Sequence, residues 1–372
     1  MSDPVVVFGA SSYVGGHAIQ ALLASGHRVI GVARRPQMAR MLLPQESAQF
    51  SVATAGQVAD LIGHNQCSIV NFAYVKDLDP GRMYWQNRAL MDSIAAVAAG
   101  RCRRLVHIST AAVFGFRFSE PPTAERVGRP PDDPYGESKI HSERLAEQLA
   151  TRSSAELAIV RLGNVIGPGS PAWAAGIAQR LLEVKPVGYT GANGYSNATH
   201  VENIGDYIET LVTRREGELA AHGVYHHLAE FSGRRWPELL NVISAEVGHP
   251  WTTVARPSEP AAKGGPVKRA LKAGNRSAAG RYMRAGLGRI PDERLLDRLN
   301  RWIRYVPPPH LAAIDAIGGD DVGLLEVFSS EHEFRSRTVA GWAPNVDFDQ
   351  ACDGIARWVA SSGFTIKPES AP

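Results

Sequence analysis

Short continuous apolar runs alternate with longer amphipathic segments along the first part of the chain. An uninterrupted run rich in β-branched residues is typical of a strand buried on both faces of a parallel sheet. Because strands and helices alternate, the pattern predicts βαβ units and an α/β fold with a doubly wound parallel sheet. The predicted strands are VVVF (5–8), HRVIGVA (27–33), SIVNFA (68–73) and RLVHIST (104–110), and the predicted helices contain AIQALLASG (18–26) and about 82–99.

The turn after the first strand reads GASSYVGGH and leads into the first predicted helix. A strand, a Gly-rich turn and a helix in this order are typical of a dinucleotide site, where amides at the helix start bind a pyrophosphate. Gly9 would permit the tight turn and Gly15 the close packing of the helix, while Ser12 replaces a middle glycine and offers a hydroxyl to a phosphate. The cofactor contacts predicted in the glycine turn and at the end of the SIVNFA run are Gly9, Ser11, Ser12, Tyr13, Val14, Gly15, Phe72 and Ala73.

The second predicted strand ends at Ala33 and is followed by Arg34 and Arg35. A site that prefers NAD(H) places an acidic residue here for the ribose 2′-hydroxyl, whereas guanidinium groups suit a 2′-phosphate. The chain has no acid at this point, so the pair predicts NADP(H) as the preferred cofactor, with NAD(H) possible. The alternative is that both arginines are solvated loop charges.

Tyr135 and Lys139, in YGESK, are four residues apart and lie on one side of a predicted helix that continues through SKIHSERLAEQLA. A free phenol has a pKa of about 10, and a neighbouring ammonium group lowers it, which makes a tyrosine usable as a general acid or base. The two residues are therefore the candidate catalytic pair. The same spacing also fits a surface helix that carries a Tyr and a Lys without catalytic function.

The composition is 44% hydrophobic and 21% charged with a formal net charge of +3, which is typical of a soluble globular protein and gives no argument for nucleic-acid binding. No apolar stretch reaches the ~20 residues that span a bilayer, and the N-terminus lacks the features of a signal peptide. Cys67, Cys102 and Cys352 have no metal-ligand spacing and predict buried thiols in a reducing cytoplasm. We therefore expect no membrane insertion.

Four histidines form two groups that we interpret without a metal. His222, His226 and His227 flank the strand-like run VYHHLA, but no fourth ligand completes a zinc site. His200, in THVENIG, is expected to be structural. No bound metal is therefore predicted.

Residues 251–304 form a basic segment with thirteen Lys or Arg residues against four acidic ones. Its first part is rich in Pro, Gly and Ala and predicts a loop, while DERLLDRLNRWIRYV has apolar residues at helical spacing. We interpret the segment as an anion-attracting rim that binds a phosphorylated substrate through Lys268 and Arg269. A solvated basic face is an equally good alternative.

Several motifs occur in the order and at the separations of a known family: GASSYVG (9–15), Asn87 in WQNRALMDSI, STAAVFG (109–115), YGESK (135–139), RLGNVIGPG (161–169), THVENIGDYI (199–208) and GWAPNVDFDQACDGIARWV (341–359). The chain thus resembles the extended short-chain dehydrogenase/reductases, the NAD(P)-dependent epimerase/dehydratase group. The resemblance covers most of the chain except about 250–330. It implies a Rossmann-type sheet, a nicotinamide cofactor and chemistry at a secondary alcohol or ketone.

The resemblance also implies roles for the residues that match its motifs. Tyr135 would exchange a proton with the substrate oxygen, and Lys139 would hold the nicotinamide ribose and tune Tyr135. Thr110 would hydrogen-bond the reacting group. Asn87 would support the site, and a purely structural role for it is equally expected.

Further roles fall on the motif RLGNVIGPG (161–169) and on the residue after Thr110. Gly163 and Val165 would line the nicotinamide side, Asn164 would contact a substrate diphosphate, and Ala111 would contact the substrate. Ala111 and Ala112 also mark a departure, since dehydratases carry an Asp-Glu pair at these two positions, so a dehydratase is not expected.

Two other departures concern ligand contacts. The segment 195–197 reads Tyr-Ser-Asn where many sugar-nucleotide enzymes carry a phosphate-binding Arg, which puts a nucleotide-sugar substrate in doubt. The adenine-contacting Asp is missing from QFSVATAG.

We therefore expect a dinucleotide-binding domain at 1–165, rejoined by 197–230, and a smaller substrate-binding part at 166–196 and 231–372. The leading interpretation is an NADP(H)-preferring oxidoreductase acting on a secondary alcohol or ketone of a nucleotide sugar, as keto-sugar reductase or epimerase. The alternatives are a reductase of a sterol, terpenoid or phenolic aldehyde, and a non-catalytic NADP-binding scaffold. The resemblance implies a homodimer formed through the helices that carry Asn87 and Tyr135.

Overall fold

The computed structural model describes residues 3–77, 80–115, 134–255 and 325–364. Its strands are β1 Val5–Phe8, β2 Val29–Val32, β3 Phe50–Ala53, β4 Cys67–Asn71, β5 Cys102–Thr110, β6 Glu156–Leu162, β7 Asn164–Ile166, β8 Gly188–Tyr189, β9 Ala198–His200, β10 Tyr225–Leu228 and β11 Thr253–Val254. Seven of them form one parallel sheet in the order β10-β6-β5-β4-β1-β2-β3. The order reverses between β1 and β4, so the predicted doubly wound Rossmann-type sheet is confirmed.

The described residues form ten α-helices. They are α1 Tyr13–Ala24, α2 Pro36–Leu42, α3 Val58–Ile62, α4 Pro80–Ala98, α5 Pro134–Ser153, α6 Gly176–Leu182, α7 Val201–Thr213, α8 Glu218–His222, α9 Trp236–Val247 and α10 Phe348–Ser361. Of these, α1 and α7 pack on one face of the sheet and α3, α4 and α5 on the other. Alternate residues of β1 point to opposite faces: Val5 and Val7 join a core with α1 and α7, and Val6 and Phe8 join a core with α3, α4 and α5. Burial on both faces explains why these strands read as continuous apolar runs.

A buried arginine fixes α7 to the sheet. Arg104 in β5 is fully buried, and its Nη1 donates to the carbonyl oxygens of Leu211 and Val212, at 2.8 and 3.0 Å, in the last turn of α7. Its Nε donates to Oε2 of Glu156, the cross-strand partner in β6, at 3.1 Å. The last carbonyls of a helix have no intrahelical donor, and this guanidinium supplies one.

A third hydrophobic cluster involves α6, α9, α10 and residues around Phe328, and it includes the fully buried Trp236. Two buried asparagines, Asn197 and Asn203, form hydrogen bonds with the segment 332–346 that precedes α10. Asn197 donates to the His332 carbonyl oxygen at 3.1 Å and accepts from the Phe334 amide at 2.7 Å. Asn203 in α7 accepts from the Val346 amide at 2.9 Å, directly before α10.

The predicted basic rim falls almost wholly on residues 256–324, so Lys268 and Arg269 lie outside the described residues. The three cysteines are free and buried. Among the described helices, none combines the length and apolar character that crossing a membrane requires.

Candidate functional site

The carboxyl ends of four neighbouring strands bring the candidate residues to one edge of the sheet. Strand register pairs Phe8 with Asn71, Asn71 with His107, and Thr110 with Leu162. The glycine turn, the loop after β4, Thr110 and the segment after β6 therefore begin side by side. In open α/β sheets this edge, at the switch point, is where ligands bind.

Gly9 and Gly15 form a turn that has no room for side chains. Gly9 has a φ of +77°, and a Cβ there would lie 2.6 Å from the Ala73 amide nitrogen and 2.9 Å from the Phe72 carbonyl carbon. A Cβ on Gly15 would collide with the Gly9 carbonyl oxygen. The loops after β1 and β4 thus approach closely at the switch point, and the cradle fits a dinucleotide pyrophosphate.

Ser12 caps α1. Its Oγ accepts a hydrogen bond from the Gly15 amide at 3.1 Å and donates to the Gly9 carbonyl oxygen at 2.7 Å. Because the hydroxyl proton is engaged with Gly9, it is not free to donate to a phosphate. The first-turn amides of Tyr13 and Val14 are better placed for that contact, since helix N–H groups there have no intrahelical acceptor.

The neighbouring predicted contacts differ in exposure. Ser11 is exposed, Tyr13 is half-buried and its hydroxyl donates to the Pro168 carbonyl oxygen at 3.0 Å. Phe72 is buried and Ala73 is half-buried, and both lie in the loop after β4. Strand β4 ends at Asn71, whereas the sequence predicted a strand that continues to Ala73. The strand is shorter than predicted because Asn71 Oδ1 accepts from the Ala73 amide at 3.0 Å and turns the chain.

Arg34 and Arg35 follow β2 at the same edge, and both side chains are exposed. Ala33 before them is buried and carries no acid that could bind a ribose 2′-hydroxyl. Arg35 Nη1 lies 3.8 Å from Met38 Sδ at the start of α2. Two cations are therefore open to solvent directly after β2.

Tyr135 and Lys139 lie in the first turns of α5. Tyr135 is half-buried, while the Lys139 side chain is buried and its Nζ donates to the Ile108 carbonyl oxygen in β5 at 3.2 Å. Burial lowers the pKa of Lys139 to about 8, an effect that the carboxylate of Glu143 opposes. The Tyr74 ring contacts both members of the pair: its centroid lies 5.3 Å from the centroid of the Tyr135 ring, and Lys139 Nζ lies over its face.

Thr110 ends β5 and caps a short 3₁₀ turn at Ala111–Phe114. Its Oγ1 accepts a hydrogen bond from the Ala112 amide at 3.2 Å, which leaves the hydroxyl proton available to a ligand. Ala111 is buried and packs with Ala229 and Phe334, so its side chain offers little surface to a substrate.

Asn87 is buried in α4 and is engaged with the loop after β4. Its Oδ1 accepts from the Val75 amide at 2.9 Å, and its Nδ2 donates to the carbonyl oxygens of Val75 and Met83, each at 2.8 Å. These bonds use the whole amide group to hold backbone, which favours the structural interpretation of Asn87.

Gly163, Asn164 and Val165 follow β6 and lead into β7. A Cβ on Gly163 would collide with the carbonyl oxygen of Asn197, and the Asn164 Nδ2 donates to the Ser196 carbonyl oxygen at 2.6 Å. Val165 is partly buried against the main core. The Tyr-Ser-Asn segment 195–197, which replaces the expected arginine, therefore serves the fold at this point.

The sequence model of the NAD dependent epimerase/dehydratase family matches residues 5–215 of this chain, which are more than half of its length. The chain belongs to this family. The match covers the glycine turn, Thr110, the Tyr135–Lys139 pair and the segment after β6. It confirms the resemblance that the motifs indicated.

Curated members of the epimerase/dehydratase family resemble the chain at low identity. UDP-glucose 4-epimerase 2 of Oryza sativa subsp. japonica is 22% identical over 267 residues, which are 66% of this chain and 60% of the rice protein. UDP-glucose 4-epimerase 4 of the same organism is 22% identical over 270 residues, 67% of each chain. The chain thus spans about 60% of the length of the first of these relatives.

Two solved structures share the fold. UDP-glucose 4-epimerase of Thermotoga maritima with UDP-glucose matches with a TM-score of 0.59 at 14% identity, over 96% of this chain and 99% of that chain. The Bordetella bronchiseptica enzyme WbmG in complex with NAD and UDP matches with a TM-score of 0.58 at 18% identity, over 97% and 95%.

A buried ionic group behind α5 escaped the sequence analysis. Arg161 in β6 donates through Nε and Nη2 to the two carboxylate oxygens of Glu143, at 3.0 and 2.8 Å, and Ser109 Oγ lies 2.5 Å from the same carboxylate. Glu143 stands one helical turn after Lys139 on the same face of α5. An arginine inside the apolar run of β6 was a signal that a buried acid must face it.

No group of three potential metal ligands occurs in the described part of the chain. His226 Nδ1 lies 2.6 Å from the Tyr207 hydroxyl, and the His227 ring stacks on Phe334 with centroids 4.6 Å apart. His200 caps α7, and its Nδ1 accepts from the Glu202 amide at 3.4 Å. Each ring thus has a structural contact.

Proposed function

We propose that the chain is an NAD(P)-dependent epimerase that acts on a nucleotide sugar by reversible oxidation of one secondary alcohol. The observation that carries the proposal is that half-buried Tyr135 and the buried Lys139 side chain meet the same ring, that of Tyr74 in the loop after β4, while the glycine turn follows the neighbouring strand β1. Membership of the epimerase/dehydratase family and the similarity to rice proteins named UDP-glucose 4-epimerases support it.

In this proposal Tyr135 exchanges a proton with the substrate oxygen, and the Lys139 ammonium favours the phenolate that this exchange requires. The Thr110 hydroxyl donates to the same oxygen. The cofactor supplies hydride acceptance and return when it is bound. It would be held by the first-turn amides of α1, by Arg34, Arg35, Phe72, Ala73, Gly163 and Val165, and through its ribose by Lys139.

Incubation with UDP-glucose or UDP-glucuronic acid, followed by chromatography of the sugars, tests this function. We expect the protein to form the 4-epimer, and Tyr135→Phe to lower kcat by ~10²-fold or more because the general acid/base is lost. Cofactor affinity should change little in Tyr135→Phe, since the ring and Lys139 remain. Epimer formation by Tyr135→Phe at the parent rate would contradict the proposed role.

We also propose that NADP(H) is preferred over NAD(H), because Arg34 and Arg35 are exposed after β2 and no acid stands at Ala33. Replacing both arginines by alanine should raise the Kd for NADPH roughly tenfold or more and leave the Kd for NADH nearly unchanged. Fluorescence titration of both cofactors measures this. An unchanged preference would show that the arginines do not contact a 2′-phosphate.

A keto-sugar reductase is the second candidate, and the arginine pair favours it because NADPH is the usual reductant for such steps. The two functions differ in redox balance. Net loss of the NADPH absorbance with a 4-keto sugar indicates the reductase, and an isomerised sugar without such loss indicates the epimerase.

The remaining predictions concern partners and the basic segment. We propose a homodimer through α4 and α5, a cytoplasmic location, and a phosphorylated substrate that meets the basic segment 251–304. Charge reversal of Lys268 and Arg269 should raise the substrate KM without changing cofactor affinity, and an unchanged KM would leave the segment as a solvated basic face.

A further inference from the structure

Tyr74, in the loop after β4, lies against both members of the proposed catalytic pair. The Nζ atom of Lys139 sits over its ring, 4.6 Å from the ring centroid. The ring of Tyr135 meets it edge-on, with centroids 5.3 Å apart and an interplanar angle of 88°. Tyr74 itself is half-buried.

The backbone on both sides of Tyr74 is held by buried asparagines. The preceding amide donates to Asn71 Oδ1 at 3.0 Å, and the Val75 amide donates to Asn87 Oδ1 at 2.9 Å. The Tyr74 hydroxyl donates to Met83 Sδ at 2.9 Å. The ring therefore has a fixed position, and Asn87 acts through this loop rather than on a ligand.

Lys139 lies where an ammonium group has lost most of its hydration. Its side chain is buried, and the carbonyl oxygen of Ile108 is 3.2 Å from Nζ. Among the charged groups that face it, Glu143 favours the ammonium form. His107 in β5 is uncharged at neutral pH, because burial and the Lys139 charge lower its pKa to about 3.

The Glu143 carboxylate is shared with a second cation, since Arg161 in β6 takes both of its oxygens. Because Arg161 neutralises much of this charge, the Glu143 carboxylate attracts the Lys139 ammonium group less strongly than an unpaired carboxylate would. The negative face of an aromatic ring attracts a desolvated cation, and here such a face lies directly against Nζ.

We propose that Tyr74 is a positioning residue for the Tyr135–Lys139 pair, whose ring face replaces part of the lost hydration of the Lys139 ammonium and holds it charged beside Tyr135. The catalytic consequence rests on the proposed function, whereas the effect on Lys139 does not. Removing the ring disfavours the charged form, so Lys139 should lose its proton at lower pH. The phenolate of Tyr135 then loses support at the same pH.

Competitive acetylation of the full-length protein across a pH series, read by mass spectrometry, measures the titration of Lys139 without turnover. Lys76, whose side chain is exposed, provides the internal reference. In Tyr74→Leu we expect the midpoint for Lys139 to fall by roughly half a pH unit or more. Tyr74→Phe keeps the ring and should keep the parent midpoint, which separates the ring from the hydroxyl.

A fluorinated phenylalanine at position 74 keeps the shape of the ring and withdraws its electron density, so it tests the charge effect even if the leucine variant folds poorly. Its Lys139 midpoint should move in the same direction as in Tyr74→Leu. An unchanged midpoint in either folded variant overturns the proposal, as does an equal shift in Tyr74→Phe.

Turnover then separates this proposal from the proposed function. The alkaline limb of kcat should move to lower pH in Tyr74→Leu by the same amount as the Lys139 midpoint. A shifted midpoint in a protein that converts no sugar would reject the epimerase and keep the contact between Tyr74 and Lys139. A shifted midpoint with an unmoved kcat profile would overturn the positioning role.

Discussion

Glu143 and Arg161 form a buried ion pair whose partners depend on each other. Both side chains are almost inaccessible to solvent, and two hydrogen bonds of 3.0 and 2.8 Å join them. We expect Arg161→Met to lower the free energy of unfolding by roughly 3–5 kcal/mol, because it leaves a buried carboxylate without its cation. Urea unfolding followed by circular dichroism measures the loss.

The double variant Glu143→Leu with Arg161→Met is the matched control for this pair. It removes both charges, so it should recover much of the stability that Arg161→Met alone loses. Equal losses in the single and double variants would mean that packing of the arginine stem, rather than the unpaired charge, sets the cost. The double variant should still lose activity, because Glu143 also faces Lys139.

At the scale of elements, the start of α1 depends on Ser12. The Ser12 Oγ accepts from the Gly15 amide at 3.1 Å and so caps the helix. Ser12→Ala should lower the free energy of unfolding by about 1 kcal/mol, and Ser12→Gly by only a few tenths. Because the Ser12 proton is engaged with Gly9, cofactor affinity should stay within about threefold of the parent in Ser12→Gly. A larger loss of cofactor affinity would indicate that the Ser12 hydroxyl contacts a cofactor phosphate directly.

The parallel sheet and helices α1, α4 and α5 could be predicted from the sequence, because strands buried on both faces appear as local apolar runs and the glycine turn has a fixed spacing. The hydrogen-bond and ring-contact partners of the polar residues could not be predicted from the sequence. Asn87 was recognised by its motif, but only the fold shows that its amide holds the backbone at Val75. Tyr74 lies 61 positions before Tyr135 in the numbering, and nothing local in the sequence indicates that the two rings meet.

At the scale of the whole molecule, buried histidines couple stability to pH. Burial lowers the pKa of His107 and His226 to about 3 and that of His200 and His227 to about 4. In the unfolded chain a histidine has a pKa of about 6.5, so below that pH the unfolded state binds more protons than the folded one. The stability contributed by keeping these rings uncharged is fully present above pH ~6.5 and is lost as the pH falls towards 3. Glu230, whose pKa burial raises, works in the opposite direction.

The free energy of unfolding should therefore be nearly constant just above pH ~6.5 and fall steeply below it, by up to about 1.4 kcal/mol per pH unit for each of these rings. Chemical unfolding at a series of pH values measures the slope. His226→Gln should reduce the slope by about one proton, because this fully buried ring no longer contributes. His64→Gln is the matched control, since the His64 ring is exposed and its replacement should leave the slope unchanged. Equal slopes in the parent and both variants would mean that carboxylates, and not the buried imidazoles, set the acid limit of this fold.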